Sequence, residues 1–212
     1  MSKLLTTALL TILFSHISVQ AAFLSNGFLV TSQFIAFEDK PNKCYGKIFY
    51  PKLSNENKSA TLKINSTIND FIKNYKVQCA KKTQNVEYKV NYDVRKGKGN
   101  YFSVRWTTKI NDPAIEHDSL KIETLNFNME DGRLLSEKDI LSPLAKNFMP
   151  EIIKLSQNNL AADTSWKQFL KKISIRSIQL YVLEDNWSIV FNPGPNNRAV
   201  TEAKLPSYFI SK

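Results

Sequence analysis

Few residues in this sequence are equipped for chemistry. Asp112, Glu116, His117 and Asp118 form the one cluster that joins a group titrating near neutral pH to carboxylates, the ingredients of general acid–base hydrolysis. Adjacent residues on an extended segment point to opposite sides, so Glu116 and His117 need not converge. The sequence has no Gly-x-Ser-x-Gly, His-Glu-x-x-His, phosphate-binding glycine loop or zinc-ligand spacing. His117 therefore reads first as a hydrogen-bonded loop residue. The chain is expected to be non-catalytic and to need no cofactor, and a hydrolase using the Glu116/His117 loop is the alternative.

Anion binding has more support. Lys89, Arg95, Lys96, Lys98, Arg105 and Lys109 cluster within about twenty residues, with Tyr101 among them. Residues 40–109 hold sixteen Lys or Arg against four Asp or Glu, whereas residues 110–212 hold twelve against thirteen. Nearly all the excess charge thus lies in the first half, where an anionic polymer is a sensible partner. A merely solvated, solubilising face is the other reading. Tyr101 and Trp106 are both suited to stacking on sugar rings. Trp106, however, shares the apolar spacing of Phe102 and Val104 and is expected in the core.

The two cysteines, Cys44 and Cys79, read as a disulfide if the chain is exported. Two free thiols are the rival reading. A metal site is disfavoured because His117 is the one histidine outside the leader described next.

The first 21 residues look like a secretory leader: Lys3 is the basic region, residues 4–17 the apolar stretch, and Val19-Gln20-Ala21 the cleavage site. Polar Thr6, Thr7, Thr11 and Ser15 make this stretch a poor membrane anchor. The mature protein is expected to be periplasmic or secreted. No later run of residues is long and apolar enough to span a bilayer.

The elements that must position these residues centre on residues 86–129. Val86, Tyr88, Val90, Tyr92 and Val94 alternate with polar neighbours, the period of a half-buried strand. Two more strands follow, through the turns Lys96-Gly97-Lys98-Gly99-Asn100 and, after a link at 111–118, up to Glu130-Asp131-Gly132-Arg133. Strands are predicted at 27–37 and at 44–50, the latter stopped by Pro51. Leu62, Ile64, Ile68, Phe71, Ile72 and Tyr75 recur at helical spacing after a cap at Ser54 or Asn55. One capped turn is predicted at 136–141, helices at about 143–160 and around Trp166-Phe169-Leu170, a hairpin over 175–192, and an edge strand at 199–205. This order predicts an α+β fold: an antiparallel sheet covered by helices, in two similar-sized halves packed as one unit. The halves would be a basic one at 22–110 and a second at 111–212.

Several motifs resemble the exported domain-of-unknown-function superfamily of lysozyme-sensing anti-sigma factor ectodomains, which also forms an accessory region of some peptidoglycan deacetylases. They are Tyr50-Pro51-Lys52-Leu53 with Ile64-Asn65 and Ile68; Phe127-Asn128-Met129-Glu130-Asp131-Gly132-Arg133 with Leu135 and Asp139-Ile140-Leu141; Tyr181 with Phe191-Asn192-Pro193; and Leu205-Pro206-Ser207-Tyr208. Where the family has a Gly-Gly-Ala-His type loop, this sequence has Pro113-Ala114-Ile115-Glu116-His117, without the glycines that give such a loop its shape. The resemblance implies an extracytoplasmic sensor or ligand-binding module, with lysozyme or cell-wall glycan as partner. Common lysozymes are cationic and would be repelled by the basic half. The expectation is therefore a free binding protein for an anionic envelope polymer or peptidoglycan. Lysozyme binding or inhibition is the alternative, and export makes nucleic acid an unlikely partner.

Overall fold

The alternation at residue 86 builds β4 (Val86–Lys96), which pairs antiparallel with β5 (Tyr101–Asn111), and β5 with β6 (Ser119–Asn128). This central group is the one the patterning predicts. The computed structural model describes residues 21–24, 28–40, 43–79, 85–97, 100–113, 119–142, 179–183, 186–192 and 201–210. Ahead of β4 run β1 (Ala21–Leu24), β2 (Phe28–Asp39) and β3 (Cys44–Ser54), and after β6 comes the two-residue β7 (Leu134–Leu135). These seven strands form one sheet in chain order, antiparallel throughout except where β3 meets β4.

The parallel contact requires a crossover, which the helix α1 (Lys58–Cys79) supplies. Its buried stripe, Ala60, Thr61, Ile64, Ile68, Ile72, Tyr75 and Cys79, lies on one face of the sheet. That face presents Val86, Tyr88, Val90, Phe102, Val104 and Trp106. Trp106 is wholly buried, 4.9 Å from the Phe71 ring, so it belongs to the core, as its spacing predicts. Asn57 opens the helix, its Oδ1 accepting from Ala60 N at 3.2 Å, two or three residues later than the cap predicted at Asn55 or Ser54. At the other end Cys79 is bonded to Cys44, with Cα atoms 5.5 Å apart, tying the helix to the start of β3. In the chain-entropy model a loop of this size is worth roughly 3–4 kcal/mol.

The helix-covered α+β expectation is corrected here. The described residues are mostly strand, and among them α1 is the one helix longer than a single turn; α2 (Glu137–Ile140) is the capped turn predicted around Ser136. The opposite face of the sheet is covered by a second sheet, β8 (Gln179–Leu183), β9 (Asn186–Phe191) and β10 (Thr201–Leu205) in the order β10-β9-β8. The reason is polar. At buried positions β5 and β6 show Ser103 and Asn126, which require partners. The edge of β8 has spare backbone groups: Val182 N donates to Ser103 Oγ at 3.0 Å, and Asn126 Nδ2 donates to Leu180 O at 2.9 Å. A helix, whose backbone is bonded internally, has none to give. The helices predicted at 143–160 and at Trp166–Leu170 lie outside the described residues.

Pro51 does not stop β3, as had been expected, but sits within it opposite Ser32. β3 and β4 pair no further than Ile48↔Val90, and among the described residues no strand takes the place of β4 beside Pro51, so a residue lacking an N–H is tolerated there.

Candidate functional site

The site begins where two strands part. β3 and β4 pair only from Cys44↔Val86 to Ile48↔Val90. Past that point β3 stays with β2 and β4 stays with β5, which leaves a groove of about 310 Å³ between them. Val30, Ser32, Phe49, Asn91, Tyr92, Asp93 and Val94 line it. In β3 the buried positions run Cys44, Gly46, Ile48, then Pro51 and Leu53, so the alternation slips by one where the strands separate. Asn65 of α1 compensates: its Oδ1 accepts from Leu53 N at 2.9 Å and its Nδ2 donates to Leu53 O at 2.8 Å. One side-chain amide thus stands in for the missing strand.

At the base of the groove, on the face away from α1, register aligns three lysines. Lys47 of β3 is level with Lys89 of β4, and Lys89 is opposite Lys109 of β5. Neighbouring strands lie about 4.8 Å apart, so three lysines hold adjacent positions in a row across three strands. Like charges directly opposite one another destabilise a sheet. Glu87, with Oε2 3.1 Å from Lys89 Nζ, offsets part of that repulsion. Beside the row, Phe34 and Phe49 touch, with ring centroids 4.9 Å apart, and remain 40% and 41% exposed. Tyr45 is exposed two residues before Lys47. Among the described residues no group of three His, Cys, Asp or Glu is placed to hold a metal ion.

The predicted site residues divide. Lys89 and Lys109 join the row. Arg95 and Arg105 instead serve the contact between the sheets: Arg95 Nε donates to the Tyr181 hydroxyl at 3.2 Å, and the Arg105 guanidinium lies over the Tyr181 ring, 5.8 Å from its centre. Tyr181 in turn donates to Asp93 Oδ2 at 2.8 Å. Burial, reinforced by that bond, holds the Tyr181 phenol well above its ordinary pKa. The Tyr101 ring meets Trp187 edge-on at 5.7 Å, and Lys96 closes β4 opposite Phe102. Lys98, Glu116, His117 and Asp118 lie outside the described residues, and Asp112 is buried. Lys47 and Phe49 escaped the sequence reading. Their signal is alternation from Cys44, legible only once the parallel register with β4 is known.

The motifs that carried the family resemblance are structural. Asn192 bonds both the N–H and the carbonyl of Ile122, repeating what Asn65 does at Leu53. Asp139 accepts from Ser136 Oγ at 2.6 Å, and from Arg133 Nη1 and Ser136 N each at 2.7 Å, and these bonds hold its carboxyl down at about 2. Gly132, at φ +72°, fits against the backbone of Ala60, where a Cβ would come within 2.5 Å of the carbonyl oxygen.

No family model matches the sequence, and no curated protein matches it either. Solved structures do. A DUF3298-family protein of Pseudomonas aeruginosa PAO1 is similar with a TM-score of 0.57 at 13% identity, over 86% of this chain and 94% of that one. The fold is that of the DUF3298 proteins. A DUF3298-family member from Bacteroides fragilis NCTC 9343 is similar with a TM-score of 0.51 at 10% identity, over the same shares of the two chains. At such identities the DUF3298 likeness is one of architecture, that of a domain of unknown function. No helix among the described residues is long and apolar enough to cross a membrane.

Proposed function

We propose that the chain is an exported, non-catalytic binding protein of the bacterial envelope, cut after Ala21, that takes an anionic glycan across the β3–β4 groove. The lysine row Lys47–Lys89–Lys109, beside an exposed phenylalanine pair at an open groove, is the observation that supports this reading. Aromatic faces stack on the apolar faces of sugar rings, and ammonium groups meet carboxylates or phosphates at the pitch of the strands. Lys89 is exposed and its partner Glu87 half-buried; a pair open to water on one side is worth little and yields to a ligand. The wall residues Asn91 and Asp93 add polar groups for hydroxyls.

The test is retention of the exported protein on anionic-glycan beads as salt is raised. Retention is expected to fall steeply with salt and to be lost in a Lys47→Gln/Lys89→Gln/Lys109→Gln variant. Retention that ignores both salt and the triple substitution overturns the proposal. Inhibition of lysozyme by the same protein would replace the glycan with lysozyme as partner. Hydrolysis abolished by His117→Ala would make the chain an enzyme.

A further inference from the structure

The outer edge of β2 carries the inference. β1 ends at Ala21 opposite Thr31, and among the described residues no strand continues beside residues 32–38. The Ser32 carbonyl accepts from Gln33 Nε2 at 3.3 Å, and beyond it an edge of that length offers backbone N–H and C=O groups as a template for adding a strand. The other described edges are closed. β7 is two residues long, β8 has Leu180 and Val182 bonded to Asn126 and Ser103, and the five-residue β10 bears the exposed Lys204. The sequence Ser32-Gln33-Phe34-Ile35-Ala36-Phe37-Glu38 has none of the proline, glycine or lysine that natural edges use for protection.

We propose that a second copy of this chain pairs with this edge, antiparallel, about a two-fold axis normal to the sheet at Ile35. Such an axis keeps faces together, so residues that oppose one another must come from the same face. Pairing about Ile35 sets Phe34 opposite Ala36, Gln33 opposite Phe37 and Ser32 opposite Glu38 of the other copy. Phe34 and Ala36 share one face, and Ile35 and Phe37 share the other, so the alternation is satisfied. The centre is apolar, the ends are a hydroxyl and a carboxylate, and no charge meets its like. This self-complementarity is what selects a second copy over a foreign strand. The ladder would form roughly eight backbone hydrogen bonds. It would also place both lysine rows on the same side of one continuous sheet, and so make attachment to a polymer bivalent. The dimer rests on the edge and on the cut after Ala21, and not on the groove reading.

Sedimentation of the exported protein, recovered from cells expressing the whole chain, is expected to show a mass rising toward two chains across the micromolar range. Backbone amides of residues 32–38 are expected to exchange more slowly as concentration rises. Ala36→Lys sets a charge beside the seam and is expected to raise the dissociation constant roughly tenfold or more. The triple lysine-to-glutamine variant should dimerise unchanged, so the two proposals fail separately. A single-chain mass at every concentration overturns the dimer. So does a dimer whose β2 amides exchange at the same rate as in the monomer, whether or not the Ala36→Lys chain folds.

Discussion

Two patches of cationic and aromatic residues lie on the same face of the sheet, and they have opposite fates. In one, Arg95, Arg105 and Tyr101 meet Tyr181 and Trp187 of the second sheet. In the other, Lys47 follows Phe34 and Phe49 along β2 and β3 and continues into Lys89 and Lys109, and the two rings remain accessible. Composition does not separate them. What does is whether another part of the chain covers the strands. Arginine suits the covered patch because its guanidinium bonds and stacks in a fixed plane. Lysine, a strongly hydrated point charge, suits the open one. The first patch should register in stability, and the second in binding.

The contrast can be broken from the covered side. Tyr181→Ala removes a buried ring and its bonds to Asp93 and Arg95, and is expected to cost about 3–5 kcal/mol in the denaturant midpoint. Asn126→Ala should cost roughly 1–3 kcal/mol, because Leu180 O loses its donor away from water. Substitutions in the open patch sharpen the contrast: Phe49→Ala should change stability by less than about 0.5 kcal/mol while weakening retention on anionic glycan. The triple lysine-to-glutamine variant should be as stable as the parent or slightly more so, since it removes like charges facing one another.

Titration separates further groups. Tyr75 donates to Glu123 Oε2 at 3.0 Å, and burial, with that carboxylate second, raises its pKa far above 10, as burial does for Tyr181. Both phenols stay protonated in the fold and ionise readily in the unfolded chain. Stability is thus fully present below pH 10 and falls as pH rises above it, and Tyr75→Phe should reduce the slope. The smallest effect is at α2. Asp139, held at about 2 by Ser136 and Arg133, has the opposite sign: its contribution is present above a pH of roughly 4 and is lost as pH falls toward 2. A carboxyl titration by NMR should find that midpoint, and Arg133→Ala should raise it.

What was legible in the sequence was local. The β4–β5–β6 group followed from alternation, the turn at Ser136 from its capping residues, and the buried place of Trp106 from its spacing with Phe102 and Val104. The Cys44–Cys79 bridge followed from the leader-like first residues and the count of cysteines. Long-range register was not legible. Nothing near Lys47 says that it lies level with Lys89 across a helix, and nothing near Pro51 says that β4 has already turned away. The covering of Ser103 and Asn126 by β8 joins residues more than fifty positions apart, so it is a property of packing and not of pattern.

Asn65 and Asn192 each use one amide to imitate a length of strand, donating to one carbonyl and accepting from one N–H. Conversion of either amide to an acid would exchange the donor for a negative oxygen facing that carbonyl. Either change would unfasten a joint, at Asn65 the one between the crossover helix and β3, and at Asn192 the one between β6 and the second sheet.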